Sequence, residues 1–208
     1  RKKLSLEKKQ YYTLISEFML QQTQVSTVIP FFNRFIKSLP SLNSLAKVNE
    51  KKLIKLWEGL GYYSRARNLK KTAQVVIKNF DGKLPNNFED LLKLPGIGNY
   101  TANAILAIAF NKPYIPLDGN IERVLKRYLY LKKEKEIQKD NLVQKKIIFG
   151  TTLRSGDYAQ ALMELGAIIC KPNNPICDKC PIKKKCKSYK KKDFSLTKSI
   201  KKNKDKYF

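Results

Sequence analysis

The segment Leu94-Pro95-Gly96-Ile97-Gly98 lies between two stretches of helical periodicity and decides how the rest of the chain is interpreted. Its two glycines permit positive φ angles and expose backbone N–H groups, while Ile97 between them can anchor the turn in the core. A helix that follows from Asn99 directs its N-terminus toward the same place, and a nest with a helix dipole binds a phosphate. An ordinary helix–helix turn is the alternative, because glycine is common in such turns as well.

The charge of the chain favours the phosphate interpretation. The 208 residues include 43 Lys and Arg against 17 Asp and Glu, which gives a formal net charge of +26. Such a charge attracts a polyanion and gains affinity by releasing its counterions. No basic segment carries a uniform apolar face with interfacial aromatics, so nucleic acid is favoured over an anionic membrane. A coding bias would also enrich Lys, since the chain is rich in Ile and Asn.

The location of the protein is inferred from what the sequence lacks. No apolar stretch of about 18 residues predicts a transmembrane helix, and the first residues lack the apolar run of a secretory signal. The chain opens at Arg1 without a Met, so we expect a fragment of a longer protein. We expect a cytoplasmic monomer of bacterial type that is associated with the nucleoid and has no membrane partner.

Apolar residues recur with helical spacing, and no run shows sustained strand alternation. Breakers such as Pro40-Ser41, Gly59-Leu60-Gly61 and Asp81-Gly82 separate the periodic runs. We therefore predict an all-α protein of nine or ten short helices. Three predicted core stripes are Leu69, Thr72, Ala73, Val76, Ile77 and Phe80; Ile121, Val124, Leu125, Tyr128 and Leu129; and Tyr158, Ala161, Leu162, Leu165, Ile168 and Ile169.

All four cysteines lie in one segment, at Cys170, Cys177, Cys180 and Cys186. Scattered disulfides would not be confined in this way, so the pattern predicts a metal site in a reducing compartment. Only Cys177 and Cys180 form the close pair that zinc sites usually present twice, and the absence of His excludes mixed zinc sites. The wider outer spacings favour a cubane iron–sulfur cluster, with zinc or free thiols as the alternatives.

Several motifs together resemble one known family. The hairpin Leu94–Gly98, the segment Pro116-Leu117-Asp118-Gly119-Asn120 and the four-cysteine segment resemble the helix-hairpin-helix DNA glycosylase superfamily. Two further segments, Ser16–Val25 and Trp57–Asn68, are similar to its adenine DNA glycosylase (MutY-like) branch. The motifs agree in order and spacing and cover most of the chain, so chance similarity is implausible.

The resemblance implies an all-α, two-lobed helix-hairpin-helix DNA glycosylase fold with a C-terminal [4Fe-4S] cluster loop. We expect residues 22–131 to form a helical barrel lobe and residues 132–186 a cluster lobe, against which an N-terminal helix in residues 1–21 packs. The cleft between the lobes is expected to hold the catalytic groups, with DNA across it. Residues 187–208 are expected to form a Lys-rich linker or tail that leads to a missing C-terminal domain.

Two departures from the family are visible. The family usually carries a Leu-Pro-Trp signature upstream, where this chain reads Leu4-Ser5-Leu6. Full-length members also carry a C-terminal domain that helps to recognise 8-oxoguanine, and residues 201–208 resemble the connector that leads into it.

Two carboxyl groups are the expected catalytic pair, since breaking an N-glycosidic bond requires a protonated leaving group and a stabilised sugar cation. The resemblance implies that Glu17 protonates adenine N7 and that Asp118 stabilises the cation, with a covalent intermediate as one route. The alternatives are a solvated helix face for Glu17 and a simple N-cap for Asp118. Tyr100 occupies the position where bifunctional relatives place a nucleophilic Lys, so we expect a monofunctional glycosylase.

The remaining candidates are expected to contact DNA. A flipped base leaves a gap in the stack, and the resemblance implies that Gln22 and Tyr62 fill it. The alternative places Tyr62 and Tyr63 as one core and one surface aromatic. Arg65 and Arg67 are the expected phosphate contacts, with a solvated helix start as the alternative. Gly96, Ile97 and Gly98 form the phosphate-binding hairpin.

The function implied by the resemblance is excision of adenine mispaired with 8-oxoguanine or guanine in double-stranded DNA. Two enzymatic alternatives are an endonuclease III-like pyrimidine glycosylase/lyase and a thymine-mismatch glycosylase. Tyr100 and the residues 21–24 disfavour the first, and Glu17 disfavours the second. A non-enzymatic helix-hairpin-helix DNA-binding module with a structural metal is the alternative from another class.

Overall fold

The protein is all-helical, as predicted, throughout the part that the structure describes. The structure is a computed structural model and describes residues 4–131 and 152–195, where no strand occurs. The α-helices of these ranges are α1 (Leu6–Leu20), α2 (Val25–Ser38), α3 (Leu42–Lys47), α4 (Glu50–Trp57), α5 (Ser64–Asn79), α6 (Phe88–Leu92), α7 (Asn99–Ala104), α8 (Gly119–Leu129), α9 (Ser155–Ile168) and α10 (Lys187–Lys191). A π-helical turn, Ile105–Ala109, continues α7. Two 3₁₀ turns, Cys177–Lys179 and Lys183–Lys185, lie in the four-cysteine segment.

Short polar side chains start five of the ten described α-helices. Each of five N-cap residues accepts a hydrogen bond from the backbone N–H three residues further on, which satisfies one of the free donors of the first turn. The breakers that were predicted from the sequence separate α2 from α3, separate α4 from α5, and end α5. The five N-caps are Ser5, Ser41, Asn49, Asn87 and Asp118.

The described residues form two compact units. The first contains the chain up to Pro116 together with Leu153–Gly156, and the second contains Leu117 onward and the residues from Asp157. In the first unit α1 packs against α2, α5, α7 and the π-helical turn, and α3 packs against α5. The core of this unit includes the fully buried side chains Leu14, Ile15, Phe18, Met19, Phe35, Leu53, Trp57, Leu69, Leu91 and Ile105.

The division into units differs from the predicted lobes at two helices. Helix α1 was expected to pack on the cluster lobe, but it lies in the first unit as one of its central elements. Its apolar residues occupy more than one face, so it needs partners on several sides. Helix α8 was expected in the barrel lobe and lies in the second unit.

The second unit is organised around α8. The predicted stripe of this helix is confirmed at Ile121, Val124 and Leu125, which are buried. The stripe of α9 is only partly confirmed, because Leu162 and Leu165 are buried while Ile168 is 54% exposed. In the first unit, the stripe of α5 is confirmed, with its central residues fully buried.

The predicted Lys-rich tail is structured over its first residues. Residues 187–191 form α10, which packs against α8 and buries Ser188 completely. Tyr130 at the end of α8 donates a hydrogen bond of 2.7 Å to Asp193. The lysines of this segment keep their charges in water while its other side chains attach it to α8. Residues 196–208, the rest of the predicted tail, lie outside the described residues.

Within residues 4–131 and 152–195, no helix has the length and the apolar character that spanning a bilayer would require.

Candidate functional site

Glu17 is buried within α1, with 5% of its surface exposed. Its neighbour one turn earlier, Thr13, is also buried and donates a hydrogen bond of 2.8 Å to Lys9 O. The interpretation of this face as solvated is therefore wrong. An ionisable side chain is rarely buried without a functional or structural reason, because burial penalises its charged form. Its burial makes Glu17 the strongest candidate for a chemical role in the first unit.

The hairpin of residues 94–98 connects α6 to α7 as predicted. Gly96 has a φ of +80°, and a Cβ there would lie 2.9 Å from Phe18 Cε1 and from Asn68 Cβ. Only glycine fits this position, because both the backbone conformation and the close approach exclude a side chain. Ile97 is buried with 6% exposure and anchors the turn in the core, as expected. Gly98 differs from the prediction, because its φ of −99° is accessible to any residue.

Two helices hold the hairpin in place. The side chain of Gln21, which follows α1, donates to Gly96 O over 3.3 Å and to Thr101 Oγ1 over 3.4 Å. From α5, Thr72 Oγ1 donates to Pro95 O over 2.7 Å. Gln21 was not singled out in the sequence as a functional residue, since a glutamine at a helix end carries no signal by itself. Its contacts tie the segment that carries Glu17 to the hairpin.

Tyr100 is the second residue of α7, and its side chain is 38% exposed. Helix α7 packs against α1 within the first unit. The structure therefore places Tyr100 on an element that adjoins the helix of Glu17, directly after the hairpin. Tyr100 therefore occupies the position, directly after the hairpin, on which its predicted role depends.

Gln22 and Tyr62, the expected wedge residues, are both exposed and share an unusual backbone conformation. Their φ angles are +57° and +47°, in the left-handed region that L residues seldom occupy. Tyr62 is 63% exposed and Tyr63 is 37% exposed, so the alternative of one core and one surface tyrosine is wrong. Exposed side chains on strained turns occur at functional sites, where the surrounding structure holds the strain.

The position of Arg65 contradicts its predicted role as a phosphate contact. It is 7% exposed, and its guanidinium donates to five backbone carbonyl groups and so has few donors left for DNA. The guanidinium carbon also lies 5.6 Å from the Trp57 ring centroid and 5.5 Å from that of Tyr62. Burial lowers the pKa of Arg65, and the group stays charged because arginine starts from so high a value. The five acceptors are the carbonyls of Phe18, Met19, Gln21, Leu60 and Gly61.

Arg67 remains compatible with a phosphate contact. Its side chain is 53% exposed and pairs with Glu50 at 2.7 Å between Nε and Oε1. The hydrogen bond from Arg67 lowers the pKa of Glu50. Exposed ion pairs of this kind contribute little to stability, so the pair can exchange for a phosphate.

Asp118 is the N-cap of α8, as the structural alternative proposed. Its Oδ1 accepts from Ile121 N over 2.7 Å, and its Oδ2 accepts from Asn120 Nδ2 over 3.2 Å. Asn120 Oδ1 in turn accepts from Arg123 over 2.8 Å, and Arg123 Nε donates to Cys170 O over 2.7 Å. A chain of hydrogen bonds therefore runs from the first cysteine to the carboxylate of Asp118. The capping role does not conflict with a chemical one.

The four cysteines line one cavity in the second unit. Lys183 and the fully buried Arg127 also line this cavity. All four thiols are free. Burial raises the pKa of Cys177 and of Cys180, and the neighbouring cysteines raise both further. Among the described residues, no three or more His, Cys, Asp or Glu side chains converge closely enough to hold a metal ion.

Arg127 holds the start of the cysteine segment. It donates to Lys171 O over 2.6 Å and to Pro172 O over 2.7 Å, and it lies 3.5 Å from Cys170 Sγ. Arg123 and Arg127 were missed in the sequence as site residues. Their spacing of four residues on α8 places them on one face, beside the predicted stripe. An arginine outside the stripe gives no sign in the sequence that it is buried.

The fold and the site define a class of protein. A hairpin between two short helices, a helix capped by an aspartate and a cavity lined by four cysteines occur together in helix-hairpin-helix DNA glycosylases. The family model described as "HhH-GPD superfamily base excision DNA repair protein" matches residues 15–147. The chain belongs to this family, and the family resemblance that was predicted from the sequence is confirmed.

The curated relatives described next are adenine DNA glycosylases. The chain is 47% identical over 186 residues to the adenine DNA glycosylase of Buchnera aphidicola subsp. Baizongia pistaciae, covering 88% of this chain and 52% of the relative. It is 38% identical over 192 residues to the adenine DNA glycosylase of Homo sapiens, covering 89% and 34%. The chain thus spans about half the length, or less, of these relatives.

Solved structures share the fold over nearly the whole chain. A thermostable thymine-DNA glycosylase is 30% identical, with a TM-score of 0.76, and the match covers 88% of this chain and 86% of that one. A non-covalent endonuclease III–DNA complex is 24% identical, with a TM-score of 0.71 and coverage of 92% and 90%. At that identity, the endonuclease III likeness shows the fold alone.

Proposed function

We propose that this chain is the catalytic part of an adenine DNA glycosylase that hydrolyses the N-glycosidic bond of adenine mispaired with 8-oxoguanine or guanine. Curated adenine DNA glycosylases at 36–47% identity support the choice of base over thymine, for which the similarity is 30%. The observation that carries the proposal is the buried Glu17, on a helix whose end is tied to the DNA-binding hairpin. We also propose that the protein acts on DNA of the bacterial nucleoid as a monomer.

Glu17 acts as the general acid in its protonated form. It gives its proton to adenine N7 while the bond between C1′ and N9 breaks and its electron pair passes to the base. The base leaves as a neutral molecule, and the sugar carries the positive charge. Water then adds at C1′ and returns a proton to the Glu17 carboxylate, so the acid is regenerated.

Asp118 stabilises the sugar cation, either through space or by a transient bond to C1′. Its two oxygens accept hydrogen bonds from Ile121 and Asn120, which fix the direction of the carboxylate. Two carboxyl groups with these separate tasks are the arrangement that glycoside hydrolysis generally uses.

Tyr100 makes the enzyme monofunctional. A lysine at this position would attack the sugar and form a Schiff base, and a phenol has no amine to do so. Tyr100 supports the transition state by hydrogen bonding instead. The product is therefore an intact strand with an abasic site.

The DNA contacts divide between the stack and the backbone. The adenine must leave the stack to reach Glu17, and Gln22 and Tyr62 fill the gap that it leaves. The hairpin of Gly96, Ile97 and Gly98 holds a backbone phosphate, and Arg67 contacts another. The net charge of +26 supports the general affinity for double-stranded DNA.

The four cysteines fit a [4Fe-4S] cluster. All four free thiols line one cavity, but among the described residues no group of three converges on a single ion, and one zinc would need its sulfurs about 2.3 Å away. Cys170, Cys177, Cys180 and Cys186 would hold the cluster, which supplies a covalent link across the segment and a positive counterpart for the thiolates. Iron and sulfide in a ratio of one to one, with visible absorption, are expected. A colourless protein that contains zinc would contradict the cluster.

Single-turnover excision tests the function. The chain is incubated with a duplex that carries adenine opposite 8-oxoguanine, and strand breaks are measured with and without alkali. Breaks at the adenine only after alkali are expected. Breaks without alkali would contradict the role of Tyr100, and excision of thymine opposite guanine in its place would contradict the choice of base.

The Glu17→Gln variant separates an enzyme from a DNA-binding module. The amide keeps the shape of the side chain but has no proton to give, so excision should fall by about 10²- to 10⁴-fold. Binding to the same duplex, measured by fluorescence anisotropy, should stay within about threefold of the unchanged chain. Equal excision rates for the two proteins would remove Glu17 from the mechanism.

A further inference from the structure

One buried guanidinium connects two turns that are far apart in the chain. Nη1 of Arg65 donates to the last carbonyls of the α1 segment and Nη2 to the carbonyls that follow α4. The first group is Phe18 O at 3.3 Å, Met19 O at 2.9 Å and Gln21 O, and the second is Leu60 O and Gly61 O, both at 3.2 Å. The two turns, residues 21–23 and 60–63, are called the paired turns below.

Each of the paired turns carries one exposed residue immediately after a carbonyl that Arg65 binds. Gln22 follows Gln21, and Tyr62 follows Gly61. Both residues have positive φ angles, a conformation that persists only where neighbouring contacts hold it. The hydrogen bonds of Arg65 lie at the residues where that restraint is needed.

Two further contacts involve Tyr62 itself, and two more hold the residues beside it. The backbone N–H of Arg65 donates to Tyr62 O over 3.0 Å, and its guanidinium lies 5.5 Å from the Tyr62 ring centroid. Trp57 Nε1 donates to Gly61 O over 3.2 Å, and the Trp57 ring lies below the same guanidinium. The side chain of Tyr62 therefore projects from a turn whose backbone is fixed on both sides.

We propose that Arg65 is a positioning residue that fixes both paired turns at once, so that Gln22 and Tyr62 enter the DNA stack as one rigid unit. The inference rests on the proposed function, because it takes these two residues as the wedges. An arginine is required, since its planar fork presents several donors in fixed directions. A lysine keeps the charge but cannot reach both turns with one ammonium group.

The Arg65→Lys variant tests this role by comparing two duplexes. One carries an abasic-site analogue opposite guanine, so that binding requires the wedges but no excision, and the other is fully paired. Affinity for the analogue duplex should fall by about tenfold or more, while affinity for the paired duplex and its salt dependence stay unchanged. A loss that is equal for both duplexes, with a weaker salt dependence, would restore the phosphate contact and overturn the proposal.

Arg67→Gln is the matched control, since Arg67 is an exposed arginine two residues along the same helix. It should weaken binding to both duplexes about equally and reduce the salt slope by about one. The contrast between the two arginines separates positioning from charge.

The Tyr62→Ala variant, made in the unchanged chain and in the Arg65→Lys background, distinguishes failure of this inference from failure of the proposed function. Tyr62→Ala should weaken binding to the analogue duplex in the unchanged chain and have a much smaller effect in the Arg65→Lys background, because the wedge is already misplaced there. If Tyr62→Ala matters and Arg65→Lys does not, the positioning role is overturned and the glycosylase remains. If Tyr62→Ala has no effect, the wedges themselves fail and the positioning role fails with them.

The Trp57→Phe variant tests the same positioning role if the Arg65→Lys variant does not fold. Phenylalanine keeps an aromatic ring in the core but removes the hydrogen bond to Gly61 O and part of the surface below Arg65. A smaller loss in the same direction is expected, confined to the analogue duplex, with protein amounts corrected by thermal unfolding. An unchanged ratio of the two affinities would overturn the proposal.

Discussion

In two regions of this chain, arginine side chains on a helix bind the main-chain carbonyls of an irregular segment. In the first unit, Arg65 binds the main-chain carbonyls of the paired turns. In the second unit, Arg123 and Arg127 on α8 bind the carbonyls of the segment that begins at Cys170. In both cases, a helix supplies a buried cation whose directional donors replace the hydrogen bonds that irregular backbone lacks.

The difference lies in what each region needs in addition. The paired turns join long helices with a fully buried core, so their arrangement is complete without any bound group. The four-cysteine segment has only two short 3₁₀ turns, and four thiols line its cavity. We infer that packing and the hydrogen bonds of Arg65 hold the first region without a bound group, whereas the second relies on the proposed cluster together with the two arginines.

Removal of the proposed cluster should have the largest effect on this comparison. In a Cys180→Ala variant, or after oxidative loss of the cluster, the second unit should lose about 5 kcal/mol or more of its stability. Tryptic cleavage should then occur rapidly after Lys179 and Lys185, while the lysines of α5 stay protected. The first unit should keep its fold, because the core around α1 contains no metal ligand.

The control for this experiment is the unchanged chain with its cofactor, digested under the same conditions. If Lys179 and Lys185 are equally resistant before and after removal, the arginines alone hold the segment. If the lysines of α5 become accessible together with them, the two units unfold as one and the proposed contrast is wrong.

The sequence predicted those features that depend on near neighbours along the chain. The stripe of α5, the start of α7 at Asn99 and the N-cap at Asp118 follow from spacing and capping rules, and the structure confirms them. The buried Ile97 follows in the same way. Local patterns carry this information because helix periodicity and caps are local interactions.

The failures concern contacts between distant residues. Arg65 was expected at a phosphate, but its acceptors lie up to 47 positions away in sequence. Neither composition nor periodicity shows whether the donors of an arginine face solvent or main-chain carbonyls. Glu17 was placed on a solvated face by its pattern for the same reason, since the helices that cover α1 come later in the chain. Composition likewise could not predict that residues 187–195 attach to α8.

Replacement of Arg127 should have an intermediate effect. Arg127→Met keeps the length and apolar stem of the side chain but leaves Lys171 O and Pro172 O without their donor. Loss of these two hydrogen bonds from a charged donor should cost about 2–4 kcal/mol in the free energy of unfolding of the second unit. Urea unfolding followed at the visible absorption of the cluster measures this loss directly.

Arg34→Met is a suitable comparison, because Arg34 also donates to a main-chain carbonyl, Leu56 O, from an exposed position. It should change stability by less than about 0.5 kcal/mol. Equal effects of the two variants would show that the burial of Arg127 adds nothing. A cluster that holds the segment unaided would leave the Arg127 variant as stable as the unchanged chain.

The smallest effect is expected at the link between the cysteine segment and Asp118. Asn120→Ala removes the 3.2 Å hydrogen bond to Asp118 Oδ2 but leaves the bond from Ile121 N to Oδ1 and the helix cap. One neutral donor of this kind contributes about 1 kcal/mol, so single-turnover excision should slow by about fivefold. Binding to the duplex with the abasic-site analogue should not change, because Asn120 is not a wedge. If binding is lost while the excision rate is unchanged, Asn120 contacts DNA instead. If neither the excision rate nor binding changes, the Ile121 N–H alone directs the carboxylate.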